Sequence, residues 1–198
     1  MLNIKTGKSL LIMLVLALLG LMSCKIHCPE FDKEILSWIP YQENDVIELY
    51  SQSNDSTILI SIKSVHVTHT TSYRGKCECG DYIFIRDDDS NFQIDISLYG
   101  KSIISQSYQI GNTNFNRYDT YSEIENFLFE SQEYDIVRIF EKKDSKSTFK
   151  KLIIAKDIGI IGLIDNDGNT WTLKTNVKIK RFNEPNERKN IVIKNVSC

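Results

Sequence analysis

The residues able to do chemistry are few and scattered along the chain. Of three histidines, His66 and His69 stand three apart. On a helix that spacing would offer two imidazoles to one metal, whereas in a strand the two side chains point to opposite faces. The run around them, residues 57–69 (TILISIKSVHVTH), alternates as a strand does, so the pair reads as strand surface. Two acidic loops imitate the start of a calcium site: Asp87-x-Asp89-x-Asn91 and Asp165-x-Asp167-x-Asn169. The first has Phe92 where an EF-hand needs Gly and Leu98 in place of the closing Glu; the second has Thr170 and Asn176 there. Both read as solvated hairpin turns. Neither a G-x-S-x-G nucleophile turn nor a Gly-rich phosphate loop occurs. A hydrolase working with two carboxylates would draw on acidic strand residues such as Asp95 and Asp135, because the separation that matters is spatial. With no catalytic, cofactor-binding or metal-binding residue singled out, the chain reads as a protein that is not an enzyme.

What its cysteines can do depends on where the chain resides. Lys5 and Lys8 precede an apolar run from Leu10 to Leu21, LLIMLVLALLGL. Those twelve residues fall short of the roughly 20 that cross a bilayer and match the core of a signal peptide. The run closes on Leu21-Met22-Ser23-Cys24, which resembles a bacterial lipoprotein signal. The resemblance implies cleavage before Cys24 and acyl chains (palmitate among them) on that cysteine, each buried CH₂ adding roughly 0.8 kcal/mol to the anchor. Residues 1–23 are then a signal peptide, 24–40 an anchor-proximal segment and 41–198 a single β-rich domain. The expected location is the cell envelope, lipid-anchored to a bacterial membrane, the outer one rather than the inner.

Export permits disulfides. With Cys24 acylated, Cys28, Cys77, Cys79 and Cys198 remain, and four cysteines allow three connectivities. A Cys77–Cys79 bridge would strain the preferred geometry. The expectation is at least one bridge tying a chain end, at Cys28 or Cys198, to the Cys77-x-Cys79 loop. Free thiols are one alternative. Another is a metal held by soft ligands from Cys77, Cys79, Cys28 and His27.

Composition narrows the class. Apolar residues make up 41% of the chain, enough for a core, and the formal net charge is −2, which gives no footprint for nucleic acid. Charge is segregated, however. Residues 24–141 carry nine Lys and Arg against twenty Asp and Glu, while 142–198 carry thirteen against six. Either the two halves neutralise each other within one fold, or a basic surface meets an anionic partner such as lipid headgroups or an acidic glycan.

Strands must position whatever site exists. Residues 46–50 and 57–69 flank the turn cluster 53–56 and read as a first hairpin. Residues 82–86 and 92–98 flank a second turn, with Phe92, Ile94, Ile96 and Leu98 on one face. Further strands are expected at 103–110, 134–141, 149–156, 158–164 and 170–174, with a last edge strand at 191–196. Asp167-Gly168 supplies the turn of a hairpin. Gly159 and Gly162 inside an apolar strand suggest a bulge, or close packing against a bulky neighbour such as Trp171. The capping box Ser122-x-x-Glu125, followed by Ile124, Phe127 and Leu128 at helical spacing, predicts one short helix at about 122–130. A further helical turn is expected at 31–38, with Asp32 as cap and Pro40 as stop. The fold class is mainly β: an antiparallel sheet, sandwich or half-barrel with the helix over one face.

Three stretches taken together, Ser37-Trp38-Ile39-Pro40-Tyr41, Cys77-x-Cys79 and Ile154-Ala155-Lys156-Asp157-Ile158-Gly159-Ile160, resemble the small exported lipoproteins of Bacteroidota. That group carries no assigned activity, so the resemblance implies an exported β-rich lipoprotein and no catalytic residue. Asp55-Ser56-Thr57 looks like the short O-glycosylation motif of exported proteins in the same group, with Ser56 as acceptor. The functional expectation is a non-catalytic binding or envelope-assembly domain, held on the membrane through Cys24 and meeting a protein or glycan partner. Two alternatives are a carrier of lipid or another apolar ligand in a cavity between sheet and helix, and an envelope hydrolase using paired carboxylates.

Overall fold

The computed structural model describes residues 34–70, 80–99, 102–143 and 146–174, with the side chains of His69 and Thr70 left aside. One helical turn, α1 (Glu34–Ser37), precedes twelve strands. They are β1 (Val46–Ser51), β2 (Ser56–Ser61), β3 (Ser64–Thr70), β4 (Gly80–Arg86), β5 (Phe92–Tyr99) and β6 (Ser102–Ile110), followed by β7 (Thr113–Asn116), β8 (Thr120–Phe129), β9 (Gln132–Glu141), β10 (Phe149–Ala155), β11 (Gly159–Asp165) and β12 (Thr170–Leu173). Every pairing is antiparallel. The strands form a seven-stranded sheet in the order β2-β1-β12-β11-β10-β9-β8 and a five-stranded sheet in the order β3-β4-β5-β6-β7.

Alternation explains how the sheets meet. Along β5, Phe92, Ile94, Ile96 and Leu98 are buried, while the residues between them are not. The same cluster takes Leu49 of β1, Ile83 and Ile85 of β4, Tyr108 of β6, Phe140 of β9, and Leu152 and Ile154 of β10. Two sheets thus share one core, which is the arrangement of a sandwich. α1 and the residues after it close one end. Ile35, Leu36, Trp38, Ile39 and Tyr41 are all buried in that core, so the segment assigned to the anchor is packed into the body from at least Ile35 onward.

The run 57–69 is not one strand but two, shared between sheets. Ile62 donates its N–H to Asp45 O at 2.8 Å and so still belongs with β1. Lys63 next to it donates to Arg86 O at 2.9 Å, at the end of β4. One residue step therefore carries the chain from sheet to sheet. The strand β7 has no counterpart among the expected elements.

The helix expected at 122–130 is strand β8. Its residues pair with β9 from Thr120↔Glu141 to Phe129↔Gln132, and cross-strand contacts outweigh the local capping signal. The turn that joins the two strands, Glu130-Ser131, has φ of 46° and 68°. Both central residues are left-handed, as a two-residue hairpin turn demands, yet neither is Gly or Asn, so the sequence carries no hairpin signal there. α1 falls inside the turn expected at 31–38 and ends at Ser37; Asp32 lies outside the described residues. So does the edge strand expected at 191–196.

Candidate functional site

The most irregular element among the described residues, the β8–β9 hairpin, also borders two grooves. Its pairing with β10 stops at Val137↔Ala155, so residues 127–134 overhang the sheet. Asn126 has φ 52° in the middle of β8. Before it, Tyr121, Glu123 and their partners Phe140 and Arg138 face the other sheet. Beyond it, Phe127, Phe129 and Tyr134 pack instead with Val137, Ile153 and Ile161, on the outer face. The hairpin tip is folded back across that face. Gly162 makes this possible: a Cβ there would stand 2.5 Å from the Phe129 ring and 3.2 Å from Trp171 O. A register shift between Ile153 and Ile154 lies opposite Gly162 and Ile160. Both sequence-based readings of Gly162 hold, with Phe129 as the principal bulky neighbour. Gly159 has φ 87°, and a Cβ there would stand 2.4 Å from the Tyr41 hydroxyl.

Folded this way, the tip lines two grooves. The larger, about 510 Å³, lies between Glu130 at the tip and the ends of β1 and β12. Its lining is polar: Gln52 and Asn169 amides, Ser53, Thr170 and Thr172 hydroxyls, the carboxylates of Glu130 and Asp167, and the Tyr50 phenol. The smaller, about 320 Å³, lies between Gln132–Ile136 and Ala155–Ile158. In the turn that brings Asp167 and Asn169 to the larger groove, one further carboxylate is committed to the turn itself. Asp165 accepts from the Asp167 and Asn169 amides at 2.9 and 2.8 Å and from the Asn169 side chain at 2.8 Å. Those bonds are why Asp165-x-Asp167-x-Asn169 folds as a tight turn.

On the inner side of the hairpin the charges are structural. Arg138 Nε donates to Glu123 at 3.0 Å, Tyr121 donates to the same carboxylate oxygen at 3.0 Å, and the guanidinium lies 3.7 Å from the Trp38 ring centre. The Arg138 hydrogen bond holds the Glu123 carboxyl below its usual range. Burial pushes the Tyr108 phenol up to about 12, although its oxygen accepts a 2.7 Å hydrogen bond from Gln106. Burial likewise raises Tyr41, whose oxygen accepts from Ile160 N at 2.6 Å.

The residues singled out in the sequence are not brought together. His66 is exposed on β3, opposite Phe84. Asp95 is on the outer face of the five-stranded sheet and accepts from Tyr82 at 3.0 Å; burial pushes that phenol up to about 12. Asp135 belongs to the other sheet, in the smaller groove. The loop with Asp87 and Asp89 joins β4 to β5 as a turn, and Asp88 there pairs with Lys63 at 2.9 Å. Ser56 is half-buried, and its hydroxyl accepts from the Trp171 indole at 3.2 Å, so the proposed acceptor is already engaged. Cys24, Cys28, Cys77, Cys79, Cys198 and His27 all lie outside the described residues. Among the described residues no cluster of three or more His, Cys, Asp or Glu side chains could hold a metal ion, and no helix is long and apolar enough to cross a membrane.

Compared with known proteins, the chain matches no family model, no curated protein and no solved structure. Its own geometry has to carry the reading. The charge segregation resolves partly into internal pairs. Lys142–Asp119, Lys150–Glu141, Lys151–Glu141, Lys156–Glu34 and Lys174–Glu48 each join a cation after residue 141 to an acid at or before it. Sequence reasoning missed Gln52, Glu130 and Thr172 as neighbours. They are single polar residues far apart in the chain, and no local pattern marks them.

Proposed function

We propose that this protein is a membrane-anchored, non-catalytic binding domain of the cell envelope, and that its ligand is a glycan. The observation that carries the reading is the lining of the larger groove. Planar amides, hydroxyls and carboxylates beside one phenol match the alternating donors and acceptors of a hydroxyl-rich ligand. The same lining holds two carboxylates, Glu130 and Asp167, and the reading as a recognition site rests on the amides and hydroxyls around them. The anchor at Cys24 rests on the signal sequence alone. The apolar-carrier alternative needed a helix as lid, and that segment is β8. Of the paired-carboxylate alternative, Asp95 and Asp135 sit on different sheets, whereas Glu130 and Asp167 line the larger groove together.

A glycan array followed by titration calorimetry of the mature chain tests this. Binding of at least one glycan class is expected, weakened about tenfold, or about 1.4 kcal/mol, by Gln52→Ala or Thr172→Val. Retention of no glycan, or equal affinity in both variants, would sink the reading.

A further inference from the structure

Four strands end the two sheets: β2, β3, β7 and β8, of six, seven, four and ten residues. β8 is the longest and the most exposed, with Leu128 68%, Tyr121 45% and Ile124 37% accessible. Among the described residues nothing pairs with its outer side. A long edge of that kind is a template for another strand unless it is guarded. β8 has neither Lys nor Pro as a guard, and its acids are Glu123, which Arg138 of β9 already pairs, and Glu125, with Glu130 at the turn. Two copies pairing antiparallel about Ile124 would set Glu123 against Glu125, like charge against like. A basic strand would be attracted instead.

The chain itself contains a basic segment of strand-forming composition. Residues 188–196 (RKNIVIKNV) hold three cations, no carboxylate and four β-branched residues, and lie outside the described part. The described residues end at Lys174 after β12, four strands from β8, a span of about 20 Å across the sheet. The intervening residues 175–187 can extend over about 43 Å. β2 is a nearer edge, but it carries no acidic residue. Covalent tethering gives the tail an effective concentration that a free peptide of the same charge rarely reaches. We infer that residues 188–196 add to the free edge of β8 as an eighth strand of the larger sheet. This stands independently of the groove and of its ligand.

Residue-resolved amide exchange on the full mature chain, with its mass in solution checked by light scattering, is the test. In a paired edge, the β8 amides that point away from β9 are protected along with those that point toward it, and cross-strand NOEs link 120–129 to 188–196. Truncation after Glu187 should speed exchange of the outward set by at least about tenfold while the inward set stays slow. Val192→Pro in the full-length chain should do the same, and it serves if the truncated chain fails to fold. Outward amides that are already unprotected in the full chain would overturn the inference. So would protection that survives both changes, and so would protection that grows with protein concentration, which would mean a second copy on that edge.

Discussion

Gly162 and Phe129 show how much one missing methyl decides. The hairpin tip lies flat on the outer face only because position 162 leaves room for an aromatic ring. Gly162→Ala must displace that ring or the backbone beneath it, and overpacking of this kind costs about 1–3 kcal/mol. The expected result is a lower urea midpoint for Gly162→Ala. In the Phe129→Ala background the same substitution should cost much less, because the two residues are in contact. Additive effects in the double-mutant cycle would mean that the ring and the glycine do not meet. Arg138 makes a related point about charge. Its guanidinium is spent on Glu123 and on the Trp38 face, so it braces the hairpin and is not offered to a ligand.

Among the elements, the β8–β9 hairpin is where local signals and the observed structure part. A capping box and helical spacing argue for a helix, but ten residues of antiparallel pairing with β9 decide for a strand. The turn is the weak point. Ser131 sits at φ 68°, a left-handed conformation that costs a non-Gly residue roughly 1–2 kcal/mol. Ser131→Gly should therefore raise the denaturation midpoint, by about 1 kcal/mol in stability, even though Gly also loses more entropy on folding. A fall in stability would show that this hairpin turn is not left-handed at its second position. Elsewhere the elements follow their sequence closely. β5 alternates as expected, and the turns at 87–91 and 165–169 fall where the Asp and Asn clusters put them. The run 57–69 hides its break because Ile62 and Lys63 are no worse as strand residues than their neighbours.

At the scale of the whole molecule, two sheets depend on one interior. Tyr41 from the α1 end and Tyr108 from β6 both place phenols in it. Burial raises both, and Tyr108 moves from 10.0 to about 12. Each phenol is neutral when folded over a range in which the unfolded chain ionises. Their stabilisation is complete below about pH 10 and is lost as pH rises from there toward the folded values. Above pH 10 stability should fall by about 1.4 kcal/mol per pH unit for each phenol. Both sheets should unfold together. Urea melts followed by far-UV dichroism and tryptophan fluorescence, at about pH 9, 10.5 and 11.5, check both statements. Constant stability up to pH 12, or separate transitions for the two probes, would contradict them.

The sequence by itself determined the β class, the inward faces of strands such as β5, and most turns. Those properties have a short physical range: side-chain alternation repeats every two residues, and a turn is set by a few Asp, Asn or Gly. Only the tertiary structure decided that 57–69 divides between two sheets and that 122–130 is a strand. It also decided that Glu130, Gln52 and Thr172 meet in one groove. Each of these depends on a partner far along the chain: Arg86 for Lys63, Arg138 for Glu123, Gly162 for Phe129. Pairing energy between distant segments exceeds the few tenths of a kcal/mol by which local propensities differ, so the local pattern could not have chosen between the outcomes.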